Sequence, residues 1–142
     1  MLLVDVNVFI YAHREDAANH ARFRDWLTEQ LDSRASFGFS EQILSSVVRI
    51  VTHPGIYADP TRLEHALKFV ERVRSSPHTV LVQPGRHHWE IFTGLCETIS
   101  ARGNMISDCY HAALAIEHGC EWITADRHFA RFPGLRWRHP LD

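Results

Sequence analysis

The chain has 142 residues, of which 45% are hydrophobic and 23% charged, with a formal net charge of −2. That size and composition fit one soluble globular domain with a sizeable core and exclude a disordered chain. The apolar stretches are too short for a membrane-spanning helix, and so small a net charge does not by itself announce a nucleic-acid binder.

The first apolar run has no basic start or small-residue cleavage site and is interrupted by Asp5, so a cytoplasmic protein without a signal peptide is expected. Cys96, Cys109 and Cys120 form no C-x-x-C pair and read as buried, reduced thiols rather than a disulfide framework or zinc ribbon. None of the eleven histidines falls in an H-E-x-x-H spacing. The basic residues are fourteen Arg and a single Lys, Lys68, and the tail "RHFARFPGLRWRHPLD" carries Arg127, Arg131, Arg136 and Arg138. The guanidinium fork suits phosphate, although a solvated face explains any one of them.

In chain order, "LLVDVNVFIYA" predicts a strand buried on both faces, with Asp5 near its carboxyl end and Asn7 two residues on, on the same face. "EDAANHARFRDWLTEQLDS" has Phe23, Trp26, Leu27 and Leu31 at helical spacing, and "SFGF" predicts a short strand. "SEQILSSVVRIVTHPG" predicts a helix capped by Ser40, with Glu41 in its first turn. "DPTRLEHALKFVERVRSS" follows, with Asp59 as cap and Pro60 at the first helical position. "HTVLVQPG" predicts a strand, "RHHWEIFTGLCETISARG" a helix, "ISDCYHAALAIEHG" a helix opening near Asp108, and "CEWITAD" and "RFPGLRWRHP" two further short strands. This alternation predicts a three-layer α/β/α sandwich around a mainly parallel sheet, with no repeat or linker to suggest a second domain.

Ligands of open parallel sheets bind beyond the strand carboxyl ends, where the following helices begin. Asp5, Glu41, Asp108 and Asp126 are all expected on that edge, Asp108 least directly because its helix follows another helix. Singly, Glu41 and Asp108 also read as ordinary first-turn acids, and Asp126 as a turn residue paired with Arg127. Asp5 is different: a carboxylate inside a buried segment must be paired, ligated or satisfied by backbone N–H groups. Two carboxylates about 5 Å apart repel by roughly 3 kcal/mol at an effective dielectric near 20. A hard divalent cation, Mg²⁺ or Mn²⁺, is the natural counter-charge for oxygen ligands alone. Such a site suits phosphodiester hydrolysis, and the chain has no G-x-S-x-G elbow, P-loop or dinucleotide loop to suggest other chemistry.

The D-x-N of "LLVDVNVFIYA" resembles the first strand of PIN-domain ribonucleases. "FGFSEQILSSVVRIVTHPGIY" and "GNMISDCYHAALAIEHGCEWITADRHFARFPGLRWRHPL" resemble the VapC toxin branch of that family, and the likeness covers nearly the whole chain. The resemblance implies a single PIN domain over residues 1–142. It also implies a Mg²⁺- or Mn²⁺-dependent endoribonuclease, the toxin of a type II toxin–antitoxin pair, held by a VapB-like antitoxin and forming homodimers and toxin–antitoxin hetero-oligomers. By position, Asp5, Glu41, Asp108 and Asp126 match the acidic quartet, Asp5 and Asp108 as principal metal ligands, and Asn7 and Thr124 match its polar supports. Arg14, Arg127 and Arg131 are expected to hold RNA backbone. Cys109 departs from the family, which commonly has Ala there; both are small, so packing is expected to absorb the change, a thiol left near the site being open to oxidation or soft metals. His111, one turn after Asp108, is expected at the surface. Two other readings compete: a phosphatase of the haloacid dehalogenase type, whose D-x-D-x-T is not matched by "DVNVF", and a non-catalytic RNA- or protein-binding module.

Overall fold

Residues 1–142 are described by a computed structural model. The elements are β1 (Leu2–Val4), α1 (Val6–His13), α2 (His20–Asp32), β2 (Phe37–Phe39), α3 (Glu41–Val51) and α4 (Leu63–Ser75). There follow β3 (Thr79–Leu81), α5 (His88–Thr98), α6 (Asn104–Glu117), β4 (Glu121–Ile123), a 3-10 helix (Arg127–Arg131) and β5 (Trp137–Arg138). The strands form one sheet in the order β3-β2-β1-β4-β5, and every pairing is parallel. The helices α1 to α4 pack among themselves and α5 packs on α6, as the two outer layers of the expected sandwich require. The chain steps outward from β1 through β2 to β3, then returns to the other side of β1 with β4. Winding therefore reverses between β1 and β4, and the carboxyl ends of these two strands form the switch point at which ligands of open parallel sheets bind.

The core follows from the apolar runs. Leu3, Val4, Phe37, Trp122 and Ile123 are buried in the sheet, and Phe9, Ile43, Val47 and Phe129 pack over it. In α6, Ala112, Ala113 and Ala115 are fully buried, so small side chains let this helix lie close to the strands.

The local differences from the sequence reading have physical causes. The first strand stops at Val4, because the Asp5 carboxylate accepts the Val6 N–H at 2.7 Å and starts a helix within the apolar run. Asn7 thus lies on a helix, not on a strand face shared with Asp5. Pro60 is not the first residue of α4, which opens at Leu63. The segment before it stays extended because the Thr61 N–H bonds to the Val51 carbonyl at 2.8 Å. The sixth helix opens at Asn104, which puts Asp108 one turn inside it rather than at its start. The 3-10 helix after Asp126 was not expected.

Gly38, in β2 beside β1, is required by space. A Cβ there would lie 2.8 Å from the Leu2 carbonyl oxygen and 3.0 Å from Val82 Cγ2. Gly38→Ala should therefore destabilise the protein by roughly 1–3 kcal/mol, the usual cost of overpacking, measured as a lowered midpoint of denaturant unfolding.

Candidate active site

Asp5 occupies the step from β1 to α1, and its backbone N–H bonds to the Ile123 carbonyl at 2.9 Å, which brings the end of β4 alongside. The next residue, Thr124, donates its hydroxyl to Asp5 Oδ2 at 2.6 Å. Asn7 Nδ2 donates to the same oxygen at 3.0 Å and to Thr124 Oγ1 at 3.1 Å. On its other side, Asn7 Oδ1 accepts the Ala125 N–H at 3.1 Å, and Thr124 Oγ1 accepts the Asp126 N–H at 3.0 Å. Residues from the two ends of the chain are thus knotted where the winding reverses.

Asp5 is 5% exposed and Thr124 is fully buried. Burial, against the hydrogen bonds from Thr124 and Val6, pushes the Asp5 carboxyl up to about 6, and the charges of Asp108 and Asp126 push the same way. Burial also raises Asp108, opposed by the Arg131 guanidinium and reinforced by Asp126. Arg131 Nη2 donates to Asp108 Oδ2 at 2.9 Å. Asp126 Oδ1 accepts the His128 backbone N–H at 2.9 Å, and His128 Nδ1 lies 2.9 Å from the same oxygen. Three of the four expected acids therefore feel one another's charge.

Glu41 does not join them. It stands at the same sheet edge, but its carboxylate pairs with Arg74 Nη2 at 3.2 Å and is half exposed. Arg14 is committed within the fold: it forks onto Asp16 at 2.6 and 2.9 Å, donates to the Asp59 carbonyl and Thr61, and stacks on Tyr57. Its guanidinium pins the loop before α4 rather than facing solvent. Arg127 is exposed and paired with Asp142. Cys109 points into the core with no exposed surface, and burial with the neighbouring Cys96 thiol pushes it up to about 12. Packing absorbs that departure, and no reactive thiol faces the acids. His111 is partly buried rather than lying free at the surface: it stacks on Trp122 with ring centroids 5.9 Å apart, and burial takes it down to about 4. His128 and Arg74, which hold two of the acids, escaped the sequence reading. Only the spacing of His128 two residues after Asp126 could have suggested it.

The donor set suits a hard cation. Three carboxylates stand against the single Arg131 guanidinium, and Asp5, raised chiefly by burial, is raised further by Asp108 and Asp126. The oxygens are carboxylate, hydroxyl or amide, a donor type that suits a hard divalent cation better than a soft one. No three acidic, His or Cys side chains stand close enough to encircle an ion in this arrangement. Asp108 is turned to Arg131 and Asp126 to His128, so the acids are grouped without being drawn onto one point.

Asp5 has a folded-state value of about 6 against 3.8 for the free side chain, so folding favours its protonated form. That contribution is fully present below about pH 4 and is lost as pH rises through about 6. Asp108, also raised, adds a slope of the same sign. Asp5→Asn, whose amide does not titrate, should flatten this slope, read from denaturant unfolding of both proteins across pH 4–7.5.

Residues 2–135 match the sequence profile of the PIN domain. Ribonuclease VapC43 of Mycobacterium tuberculosis is 40% identical over 142 residues, covering 100% of this chain and 97% of that protein. Ribonuclease VapC25 of the same organism is 36% identical, covering 99% of each. Among solved structures, VapBC2 from Rickettsia felis bound to a promoter DNA fragment superposes with a TM-score of 0.71 at 15% identity, covering 97% of each chain. The sarcin-ricin loop cleaving toxin VapC20 of M. tuberculosis gives 0.64 at 13% identity, covering 96% of this chain and 99% of that one. With a matching domain profile, end-to-end relatives and the same fold, this chain belongs to the PIN domain family and to its VapC branch.

Proposed function

We propose that residues 1–142 act as one PIN-domain endoribonuclease, dependent on Mg²⁺ or Mn²⁺, and as the toxin of a cytoplasmic toxin–antitoxin pair. One observation carries the chemistry: a buried Asp5 carboxylate, oriented by Thr124 and Asn7, sits at the switch point between β1 and β4 with Asp108 and Asp126 charged beside it. Full-length relatives named as ribonucleases support RNA as the substrate.

Asp5 and Asp108 would hold the cation, with Asp126, and Glu41 once released from Arg74, completing its surroundings directly or through water. When bound, such a cation offsets charge on phosphoryl oxygens and eases deprotonation of water. The rest belongs to the protein. Thr124 and Asn7 fix the direction of the Asp5 carboxylate, and the surrounding core keeps bulk water from its buried oxygen. Arg127 reaches RNA backbone from the open rim. Hydrolysis adds one water across a P–O bond, leaving a phosphate on one fragment and a hydroxyl on the other.

A VapB-like antitoxin and a second copy of the chain are the proposed partners. Leu63 and Leu67 of α4, Val80 and Leu81 of β3, and Trp89 of α5 are large, apolar and exposed, and offer such partners apolar surface to cover. Relatives of this fold solved as VapBC assemblies support the antitoxin.

Purified protein should cut RNA only with Mg²⁺ or Mn²⁺ added, and sequencing the fragment ends will locate the bond broken. Thr124→Val, which removes the donor to Asp5, should lower the cleavage rate by roughly 10–100-fold. Asp5→Asn and Asp108→Asn should lower it further, with folding intact by circular dichroism. Glu41→Gln should cost least of the four acids. RNA bound but left uncut with either cation would favour a non-catalytic binding module, and turnover of a small phosphomonoester alone would favour a phosphatase.

A further inference from the structure

Arg131 is the cation in contact with Asp108, held by a single hydrogen bond with its guanidinium 5.2 Å from the Phe132 ring centroid. Its Nη2 reaches Asp108 Oδ2 at 2.9 Å, and both side chains are 30% exposed. A guanidinium carries five N–H donors and pairs most strongly as a two-pronged fork. Here a single donor is engaged, and Nε is buried without a partner. Arg14 shows the alternative within this chain, with two donors forked onto Asp16 and two more on the Asp59 carbonyl and Thr61. The backbone of Arg131 closes the 3-10 helix that follows Asp126, so its root is fixed at the rim of the site while its long side chain spans to α6.

A dication and a guanidinium repel when they share one carboxylate, so occupation of Asp108 by one displaces the other. Displacement from a partly exposed site costs little, since water replaces the lost bond. The freed guanidinium remains beside the acids, where a substrate phosphate would lie. Resting on the ribonuclease reading above, we propose that Arg131 is an exchangeable counter-ion. It holds Asp108 in the metal-free protein, cedes that carboxylate to the divalent cation, and then grips the RNA phosphate brought to the site. The protein thereby keeps Asp108 occupied until the cation arrives.

The test is a calorimetric titration of Mn²⁺ into the full chain without RNA, run beside single-turnover RNA cleavage. Arg131→Gln should bind Mn²⁺ about fivefold more tightly, since a competing cation is gone, yet cleave RNA at least about tenfold more slowly. Arg131→Lys should recover part of the cleavage and keep wild-type Mn²⁺ affinity. In an Asp108→Asn background, Arg131→Gln should leave Mn²⁺ affinity unchanged. Unchanged or weaker Mn²⁺ binding by Arg131→Gln, with or without a loss of thermal stability, would make Arg131 a structural pin and overturn the proposal. If that result comes with metal-dependent cleavage by the wild type, the ribonuclease reading stands and this inference alone fails. A wild type that neither binds Mn²⁺ nor cuts RNA overturns both.

Discussion

Three donors replace the water that Asp5 loses on folding: the Val6 N–H, Asn7 Nδ2 and the Thr124 hydroxyl. Two of them converge on Oδ2, and neither the bonds nor the fold returns the carboxyl to its ordinary range. The rest of the site depends on this incomplete compensation. It exists because β4 lies beside β1, which places Thr124, from the far end of the chain, against the first acid. In a sheet wound in one direction only, the neighbour of β1 on that side would be absent, and Asp5 would face solvent with little reason to attract a cation.

The surrounding charges are arranged so that negative excess persists without unfolding the protein. Asp108 and Glu41 each have an arginine partner, Arg131 and Arg74, and Asp126 has His128. Asp5 alone has no basic side chain against it and is the most deeply buried of the four. Attraction for a divalent ion is therefore concentrated at the acid whose direction is best fixed. The outer acids are tethered by contacts that solvent and salt weaken readily, being 30–50% exposed. Stability and function pull in opposite directions at this point, since neutralising Asp5 would relieve the fold and remove the site.

The architecture was legible because strands and helices alternate with clear stops. Runs such as "FGF" and "EWI" became strands, and the alanine-rich centre of α6 became a buried face. The edge on which the acids gather followed from the same alternation. What escaped was set by local hydrogen bonds. Periodicity could not say that Asp5 would cap a helix at Val6, nor that loop bonding would delay α4 past Pro60. Side-chain pairing was equally invisible: Glu41 lies at the expected position, yet its carboxylate follows Arg74, which is brought there by the α3–α4 hairpin. Arg14 looked like an RNA contact because its partners, Tyr57, Asp59 and Thr61, lie far along the chain. His111 looked like a surface residue because Trp122, on which it stacks, comes from another element.

Asn7 explains why the motif is D-x-N rather than D-x-D. Its amide acts in two senses at once: the NH₂ donates to Asp5 and to Thr124, while the carbonyl accepts from Ala125. An aspartate there could accept from Ala125 but could donate nothing when ionised, and it would set a second charge about 3 Å from Asp5 Oδ2. Both donations would become repulsions in a region where Asp5 is already strained toward neutrality. A phosphatase of the D-x-D type needs both carboxylates at the strand end and must direct the second one outward. Here the residue at that spacing lies on a helix and is folded back to steady the first acid. The amide therefore fixes the direction of Asp5 and leaves it without a second acid two residues away, unlike a D-x-D arrangement.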